Sequence, residues 1–193
     1  MLAIFLDQET TGLDSQRHRT IEIAFKIVDV STGEVLAAYE TIVRQPLEVW
    51  ELHDPTSILV NGFQWEDLER GKPPSQVSNE IKELFIQSRI KRGKAVFICQ
   101  NPSFDRAFFN HLIPVDEQER LNWPYHWLDL ASMYWFVRMS SMNGEPFGEN
   151  VSLSKDSIAK HYGLPPEAKP HKAVNGVDHL LLCYHALFQN NED

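Results

Sequence analysis

The chain has 193 residues, 42% of them hydrophobic, which suffices for one substantial core and predicts a single domain over residues 1–193. Its formal net charge of −9 argues against a protein that coats duplex nucleic acid, because such binding relies on many lysine and arginine contacts to phosphates. An enzyme acting on nucleic acid stays open, since divalent ions can reverse the local potential at a cluster of carboxylates.

Targeting and redox signals are sparse. No stretch approaches the roughly 20 apolar residues of a membrane span, and the first ten residues carry no basic segment. We therefore expect an unprocessed cytoplasmic protein that does not enter a membrane. Cys99 and Cys183 each lie in an apolar run, and we expect both to be reduced core residues.

The first predicted element is a buried strand from Leu2 to Leu6 that runs into Asp7 and Glu9. Successive side chains of a strand alternate between faces, so these two carboxylates point the same way. They repel unless a cation joins them, and Mg²⁺ or Mn²⁺ suits carboxylate oxygens. The alternative is a strand that simply stops at a polar turn containing Gly12.

Two more strands follow, Thr20 to Val30 and Val35 to Val43, and complete an antiparallel meander. Residues 44–75 look irregular, with a short amphipathic piece around Thr56 to Val60. This opening of the chain therefore places the carboxylate pair on the first strand of a sheet.

Helices then alternate with a short apolar strand, Ala95 to Cys99. The first helix follows Pro73-Pro74-Ser75 and ends at Lys91 to Lys94. Later helices are predicted over Phe104 to Ile113, Leu128 to Met139, Ser152 to Tyr162 and Val177 to Phe188. The order indicates an α/β domain with a mixed sheet flanked by helices, and Met142 to Asn150 is predicted to be a mobile loop.

Three polar residues of the second half have ordinary structural explanations when each is taken alone. Asp105 and Asp178 lie near helix N-termini, where a carboxylate is favoured whatever it does. His171 fits an exposed loop.

Together with the first strand, however, these residues form a recognisable set. The stretches FLDQETTGLD, NPSFDRAFF and HKAVNGVD resemble, in this order, the three motifs of the DEDDh family of 3′–5′ exonucleases. That family includes the proofreading subunit of bacterial DNA polymerase III, ribonuclease T and oligoribonuclease. RTIEIAFKIV and EVLAAYETIV also look like its second and third strands, and LVNGFQWEDL looks like its His-Gly-Ile-Thr region.

The resemblance implies a ribonuclease-H-like mixed five-stranded sheet and two divalent metal ions, Mg²⁺ or Mn²⁺. The implied metal ligands are Asp7, Glu9, Asp105 and Asp178. Two metals about 4 Å apart can activate a water and stabilise both the attacking and the leaving oxygen of a phosphodiester. His171 is implied as the general base, because a neutral imidazole accepts a proton near pH 7.

The third motif departs from the family pattern. Six residues separate His171 from Asp178, where the family usually has four. Two extra residues inside a helix would turn Asp178 by about 200°. We expect the extra residues in a loop before a helix that begins at Val177, which keeps Asp178 as the fourth ligand. The second motif has Asn101-Pro102 where the family often has His-Asn-Ala.

Substrate contacts are implied by the resemblance alone. The implied residues are Thr10, Thr11, Leu13, Phe63 and Asn101. Phe63 is predicted either to stack on a base or to pack in the core. Asp129 resembles a frequent family aspartate, which we interpret as a cap for the following helix.

The predicted function is a metal-dependent 3′–5′ exonuclease that acts on free ends of single-stranded DNA or RNA. Thr10-Thr11-Gly12 resembles the proofreading branch, which favours DNA and a role in repair. The alternatives are an exoribonuclease, or a catalytically silent module that binds a polymerase or another protein. A polymerase partner and a homodimer are both open.

Overall fold

The first strand is the centre of the sheet in the computed structural model, which describes residues 1–141 and 152–189. The strands are β1 (Leu2–Thr10), β2 (Thr20–Asp29), β3 (Glu34–Ile42), β4 (Ala95–Cys99) and β5 (Trp127–Asp129), in the spatial order β3-β2-β1-β4-β5. β1 pairs antiparallel with β2 and parallel with β4, which pairs parallel with β5. The predicted meander and mixed sheet are confirmed.

Nine helices are assigned in the described residues. They are α1 (Leu47–Trp50), α2 (Pro55–Asn61), α3 (Trp65–Glu69), α4 (Pro74–Gln87), α5 (Pro102–Leu112), α6 (Val115–Arg120), α7 (Leu130–Ser141), α8 (Lys155–His161) and α9 (Ala173–Gln189). The short helices α1, α3 and α6 were not predicted. The predicted mobile loop, Met142 to Asn150, lies outside the described residues.

Several predicted helix boundaries are wrong, and α8 begins at Lys155 instead of Ser152. α4 ends at Gln87, before the basic run at which we expected it to end. Leu128 and Asp129 belong to β5, and the helix follows them. Asp129 does cap that helix, as predicted: its carboxylate oxygens accept from the backbone N–H groups of Ala131 and Ser132, both at 3.1 Å.

A further error concerns the last helix. α9 begins at Ala173 instead of Val177, so Asn175 and Gly176 lie inside the helix. A glutamate on β2 explains the early start, because Glu22 Oε2 accepts a 2.6 Å hydrogen bond from the Ala173 N–H. That bond satisfies one of the free donors at a helix N-terminus, and it comes from a strand distant in sequence.

Hydrophobic residues fill both faces of the sheet. Ile4, Leu6 and Phe97 belong to the core on one side, which includes residues of α4 and α5. Ala3 and Phe5 belong to the core on the other, which includes residues of α7, α8 and α9. Both cysteines are buried and unpaired, as predicted. Across residues 1–141 and 152–189, no helix combines the length and the apolar character that a bilayer crossing requires.

The aromatic cluster around β4 makes the first core testable. Phe97 is fully buried and stacks on Trp127 with ring centroids 4.0 Å apart. We expect Phe97→Ala to lower the free energy of unfolding by about 3–5 kcal/mol, the usual cost of such a cavity. Urea denaturation measures this loss. The matched control is Phe136→Ala on α7, whose side chain is 71% exposed and whose loss should be within about 0.5 kcal/mol. Equal losses in the two variants would contradict this picture of the core.

Candidate active site

The carboxyl ends of β1 and β4 bring three acidic residues to one edge of the sheet. Asp7 lies opposite Ala24 and Glu9 opposite Glu22, so both carboxylates share the face covered by α9, as the alternation predicted. Asp105 enters from the first turn of α5, which directly follows β4. The carboxyl ends of parallel strands are the usual place for a site in an open α/β sheet.

A glutamine on the opposite face of β1 fixes the third carboxylate. Gln8 is buried, and its Nε2 donates to the backbone oxygen of Asp105 at 2.8 Å. Its Oε1 accepts from Thr20 Oγ1 at 3.0 Å. These bonds tie the end of β1, the start of β2 and the first turn of α5 together.

Burial disfavours the ionised form of all three carboxylates. Desolvation raises the pKa of Asp105 well above its usual range, with the charge of Asp7 adding to the effect. Burial raises the pKa of Glu9 to about 8, and Asp7 and Glu22 contribute further. Burial also raises the pKa of Asp7, although a neighbouring lysine opposes it. A nearby cation would favour the ionised forms.

That lysine is Lys155, the first residue of α8. Its ammonium lies 3.2 Å from Asp7 Oδ2 and 3.0 Å from Glu167 Oε2, and donates to the Gly176 carbonyl at 3.4 Å. Burial alone would lower the pKa of Lys155, but Asp7 and Glu167 outweigh it and raise the pKa above its ordinary value. Sequence reasoning missed Lys155 and Glu167, because neither belongs to a motif.

His171 lies beside this ion pair, on the segment that leads into α9. Its backbone N–H donates to the Val60 carbonyl at 3.1 Å. Its Nδ1 is 3.4 Å from Glu167 Oε1, and no hydrogen bond to its Nε2 is found within residues 1–141 and 152–189. The predicted general base therefore reaches the edge of the acidic cluster with one ring nitrogen available.

The structure does not bring Asp178 to this cluster, and the prediction that the two extra residues lie in a loop before the helix is wrong. Because α9 already begins at Ala173, the two extra residues lie within the helix and turn Asp178 away. Its carboxylate pairs with Lys26 on β2 and is 54% exposed. Gly176, which four residues separate from His171 as in the family spacing, lies against Asp7: a Cβ built at Gly176 would be 1.6 Å from Asp7 Oδ2.

The implied substrate residues are divided by the structure. Leu13 is 75% exposed, whereas Thr10 and Thr11 are buried and bond to the backbone of their own turn. Asn101 is exposed, and its Oδ1 accepts from Ser103 Oγ at 2.6 Å. Of the two places predicted for Phe63, the structure shows core packing: it is buried against Ile21 and Leu68, with Lys172 over its ring, and offers no free face to a base.

A cleft of about 440 Å³ opens beside Glu9. Its lining residues are Gln8, Glu9, Thr10, Leu13, Asp54, Thr56, Ser57, Val60, Asn61 and Phe104. Phe104 directly precedes Asp105 and is half-buried, so it offers the aromatic face that Phe63 does not. Sequence reasoning did not single out Val60 or Phe104, although NPSFDRAFF contains the latter.

The acidic residues fit a hard divalent cation by their chemistry. Asp105 Oδ1 is buried without a hydrogen-bond partner in the described residues, and carboxylate oxygens are the ligands that Mg²⁺ and Mn²⁺ prefer. The side chains are not gathered into a finished site, however. Within the described part of the chain, no three His, Cys, Asp or Glu side chains converge as metal ligands.

Known proteins resemble the chain over nearly its whole length. A family model, RNase T, described as an exonuclease family, matches residues 4–175. The chain is 27% identical over 184 residues to the chloroplastic and mitochondrial exonuclease DPD1 of Arabidopsis thaliana, which covers 92% of this chain and 53% of that protein. It thus spans about half the length of that relative. The oligoribonuclease of Coxiella burnetii is 30% identical over 143 residues, covering 67% of this chain and 70% of that protein.

A solved structure confirms the predicted ribonuclease-H-like fold. Exonuclease I of E. coli, crystallised in complex with a dT13 oligonucleotide, superposes with a TM-score of 0.78 at 17% sequence identity. The alignment covers 99% of this chain and 41% of that chain. The predicted family resemblance is also confirmed, by the family model and the curated relatives.

The buried carboxylates predict how stability changes with pH. The pKa of Glu9 is raised from 4.5 to about 8, so the folded state binds its proton more tightly than the unfolded state. The protonated Glu9 therefore contributes fully to stability below the pKa that it has in the unfolded chain. This contribution is lost as the pH rises through the pKa that Glu9 has in the folded protein. In EDTA we expect Tm to fall as the pH rises from about 5.5 to about 8.5. Added Mn²⁺ should restore Tm at the upper end of this pH range.

Glu9→Gln should make that fall in Tm shallower, because the substituted amide does not titrate. The matched control is Glu48→Gln on the exposed side of α1, which should follow the wild-type slope. Differential scanning calorimetry over this pH range gives both comparisons. A Glu9→Gln slope as steep as that of the wild type would count against the buried carboxylate as its cause.

Proposed function

This chain belongs to the RNase T family of exonucleases, and we propose that it is a metal-dependent 3′–5′ exonuclease acting on single-stranded ends. One observation carries the proposal: Asp7, Glu9 and Asp105 lie at the same carboxyl edge of the sheet, where Glu9 lines an open cleft. Buried carboxylates at such an edge destabilise the fold unless they serve a cation.

The three carboxylates would hold the divalent cation, which supplies charge stabilisation at the phosphate and acidifies a bound water. Asp7 and Glu9 come from a central strand, and Asp105 is fixed by its backbone bond to Gln8. Rigid placement of this kind lets the groups act without rearranging when charge develops.

His171 would accept a proton from the attacking water at Nε2. Glu167 faces the other ring nitrogen at 3.4 Å, so it can orient the imidazole and stabilise the imidazolium that results. The backbone bond from His171 to the Val60 carbonyl ties the segment that carries the histidine to α2. In this proposal His171 is the proton acceptor beside the carboxylates.

The cleft beside Glu9 would receive the terminal nucleotide. Leu13, Val60 and Phe104 supply apolar surface for the base and sugar, and every base offers a π-face to an aromatic ring. Asp54 and Asn61 supply polar groups on the same wall. DNA is the proposed substrate, on the resemblance of Thr10-Thr11-Gly12 to the proofreading branch, and RNA is the alternative.

A second candidate, a catalytically silent module that binds a polymerase or another protein, is favoured by one observation. Gly176 stands where the family spacing places the fourth carboxylate, and a lysine ammonium lies beside it. A silent module would leave both DNA and RNA intact, which makes a direct assay decisive.

The assay uses 5′-labelled single strands of DNA and RNA, with free and blocked 3′ ends, in Mg²⁺, Mn²⁺ or EDTA. We expect a ladder that shortens only from free 3′ ends and only with a divalent ion. Faster shortening of RNA than of DNA would reverse the proposed substrate order. No shortening of either strand would overturn the exonuclease proposal and favour the silent module.

Two aspartate variants test which carboxylates belong to the site. Asp105→Asn should lower the rate by at least about 100-fold, the loss typical of removing one group that stabilises transition-state charge. Asp178→Asn should keep nearly the wild-type rate, because this carboxylate pairs with Lys26 instead. Loss of activity in Asp178→Asn, with the fold retained, would restore it as a ligand.

The role of His171 has its own signature. His171→Gln should lower kcat by about 10²–10⁴-fold, as for loss of a general base. It should leave KM nearly unchanged and remove the acid limb of the pH–rate profile. The matched control is His126→Gln, on an exposed ring before β5, with unchanged kcat expected. An acid limb that survives in His171→Gln would assign the proton acceptor elsewhere.

A further inference from the structure

Gly176 brings the backbone of α9 directly against the first carboxylate. A Cβ built at this position would lie 1.6 Å from Asp7 Oδ2 and 3.0 Å from Lys155 Nζ. The Asp7 carboxylate and the lysine ammonium therefore occupy the space that a side chain at position 176 would enter. Only glycine permits so close an approach of backbone to a neighbouring group.

The ammonium in that space is a built feature. Lys155 Nζ contacts Asp7, Glu167 and the Gly176 carbonyl, at 3.2, 3.0 and 3.4 Å, and its side chain is 12% exposed. An ammonium group has three protons to donate, and three acceptors surround it. Removing one partner from a buried ion pair leaves an uncompensated charge, so this lysine is held firmly.

The elements around Lys155 fix its position. Ser154 caps α8 by accepting from the Ser157 N–H at 3.2 Å, which sets the first turn that carries the lysine. The Glu167 backbone N–H donates to Asp156 Oδ1 at 2.9 Å, which fastens the glutamate to the same turn. The ammonium and its glutamate partner are therefore oriented by one helix start.

Glu167 also connects the ammonium to the histidine. Its side chain is buried, with Oε2 on Lys155 and Oε1 3.4 Å from His171 Nδ1. Oε1 has no hydrogen bond in the described residues. Glu167 is a positioning residue in this arrangement, because it touches the cation and the histidine and lies outside the open cleft.

We propose that Lys155 supplies a fixed positive charge in place of one divalent ion, so that this site binds one metal ion where two were expected. The inference rests on the proposed function, since it concerns the same carboxylates. A second divalent ion at Asp7 would lie close to the ammonium and be repelled, while the fourth carboxylate that would offset this is absent at Gly176. Asp7, Glu9 and Asp105 remain for the single ion.

The test counts Mn²⁺ ions bound to the full chain by electron paramagnetic resonance of free Mn²⁺ at alkaline pH. Subtracting the count for an Asp7→Asn variant removes ions bound elsewhere on the acidic surface. We expect one site ion in the wild type and two in Lys155→Met, which keeps most of the length of the side chain without its charge. Lys26→Met removes an ammonium that pairs with Asp178 outside the site, and should keep one ion.

Two site ions in the wild type, or none, would overturn the proposal, as would a single ion in Lys155→Met. If Lys155→Met does not fold, Lys155→Gln serves as the second neutral variant. The number of site ions in the wild type can still overturn the proposal on its own. One site ion together with no nuclease product would overturn the proposed function and leave the single-ion inference standing.

Discussion

The packing of several carboxylates at one edge of the sheet is the constraint on which the rest of this structure depends. Asp7, Glu9 and Asp105 are buried or half-buried close together, and Glu22 and Glu167 lie near them. Burial and mutual repulsion both disfavour such a group, and the raised pKa values of the first three express that cost. Two neighbouring elements offset part of that cost: Lys155 on α8 places an ammonium beside Asp7, and the first N–H of α9 donates to Glu22.

The sheet makes this arrangement rigid. β1 pairs with β4 from Leu2 to Phe5 and with β2 along its whole length, so the register with β2 sets the positions of Asp7 and Glu9 on a strand that is anchored on both sides. Gln8, between them in sequence, points to the opposite face and bonds to α5 and β2. Alternation along one strand thus serves two purposes. Asp7 and Glu9 place their carboxylates on one face, and Gln8 bonds the strand to its neighbours on the other. A loop could not hold three like charges so close with the same precision.

Much of this could be predicted from the sequence, for identifiable reasons. The meander, β4 and the shared face of Asp7 and Glu9 follow from local alternation of apolar and polar residues, which a strand imposes directly. The predicted start of α9, and with it the expected position of Asp178, was wrong because that start depends on Glu22, a carboxylate on a distant strand that accepts from the Ala173 N–H. A local pattern cannot reveal that bond. The burial of Phe63 could not be predicted for the same reason. In an irregular stretch, the local sequence does not show whether an aromatic side chain is buried or exposed.

Lys155 and Gly176 answer one packing requirement from two elements. A side chain at position 176 would displace the Asp7 carboxylate from the ammonium, and the lysine would then lose one of its two anionic partners. Loss of the ammonium would conversely leave Asp7 and Glu167 buried without a counter-charge. Breaking a buried ion pair in this way lowers the free energy of unfolding more than replacing the whole pair with apolar residues does. The two residues therefore depend on each other: each is tolerated in this acidic surrounding because the other is present. The third motif therefore departs from the family pattern in more than the position of one aspartate. The departure involves the packing between the start of α8 and the start of α9.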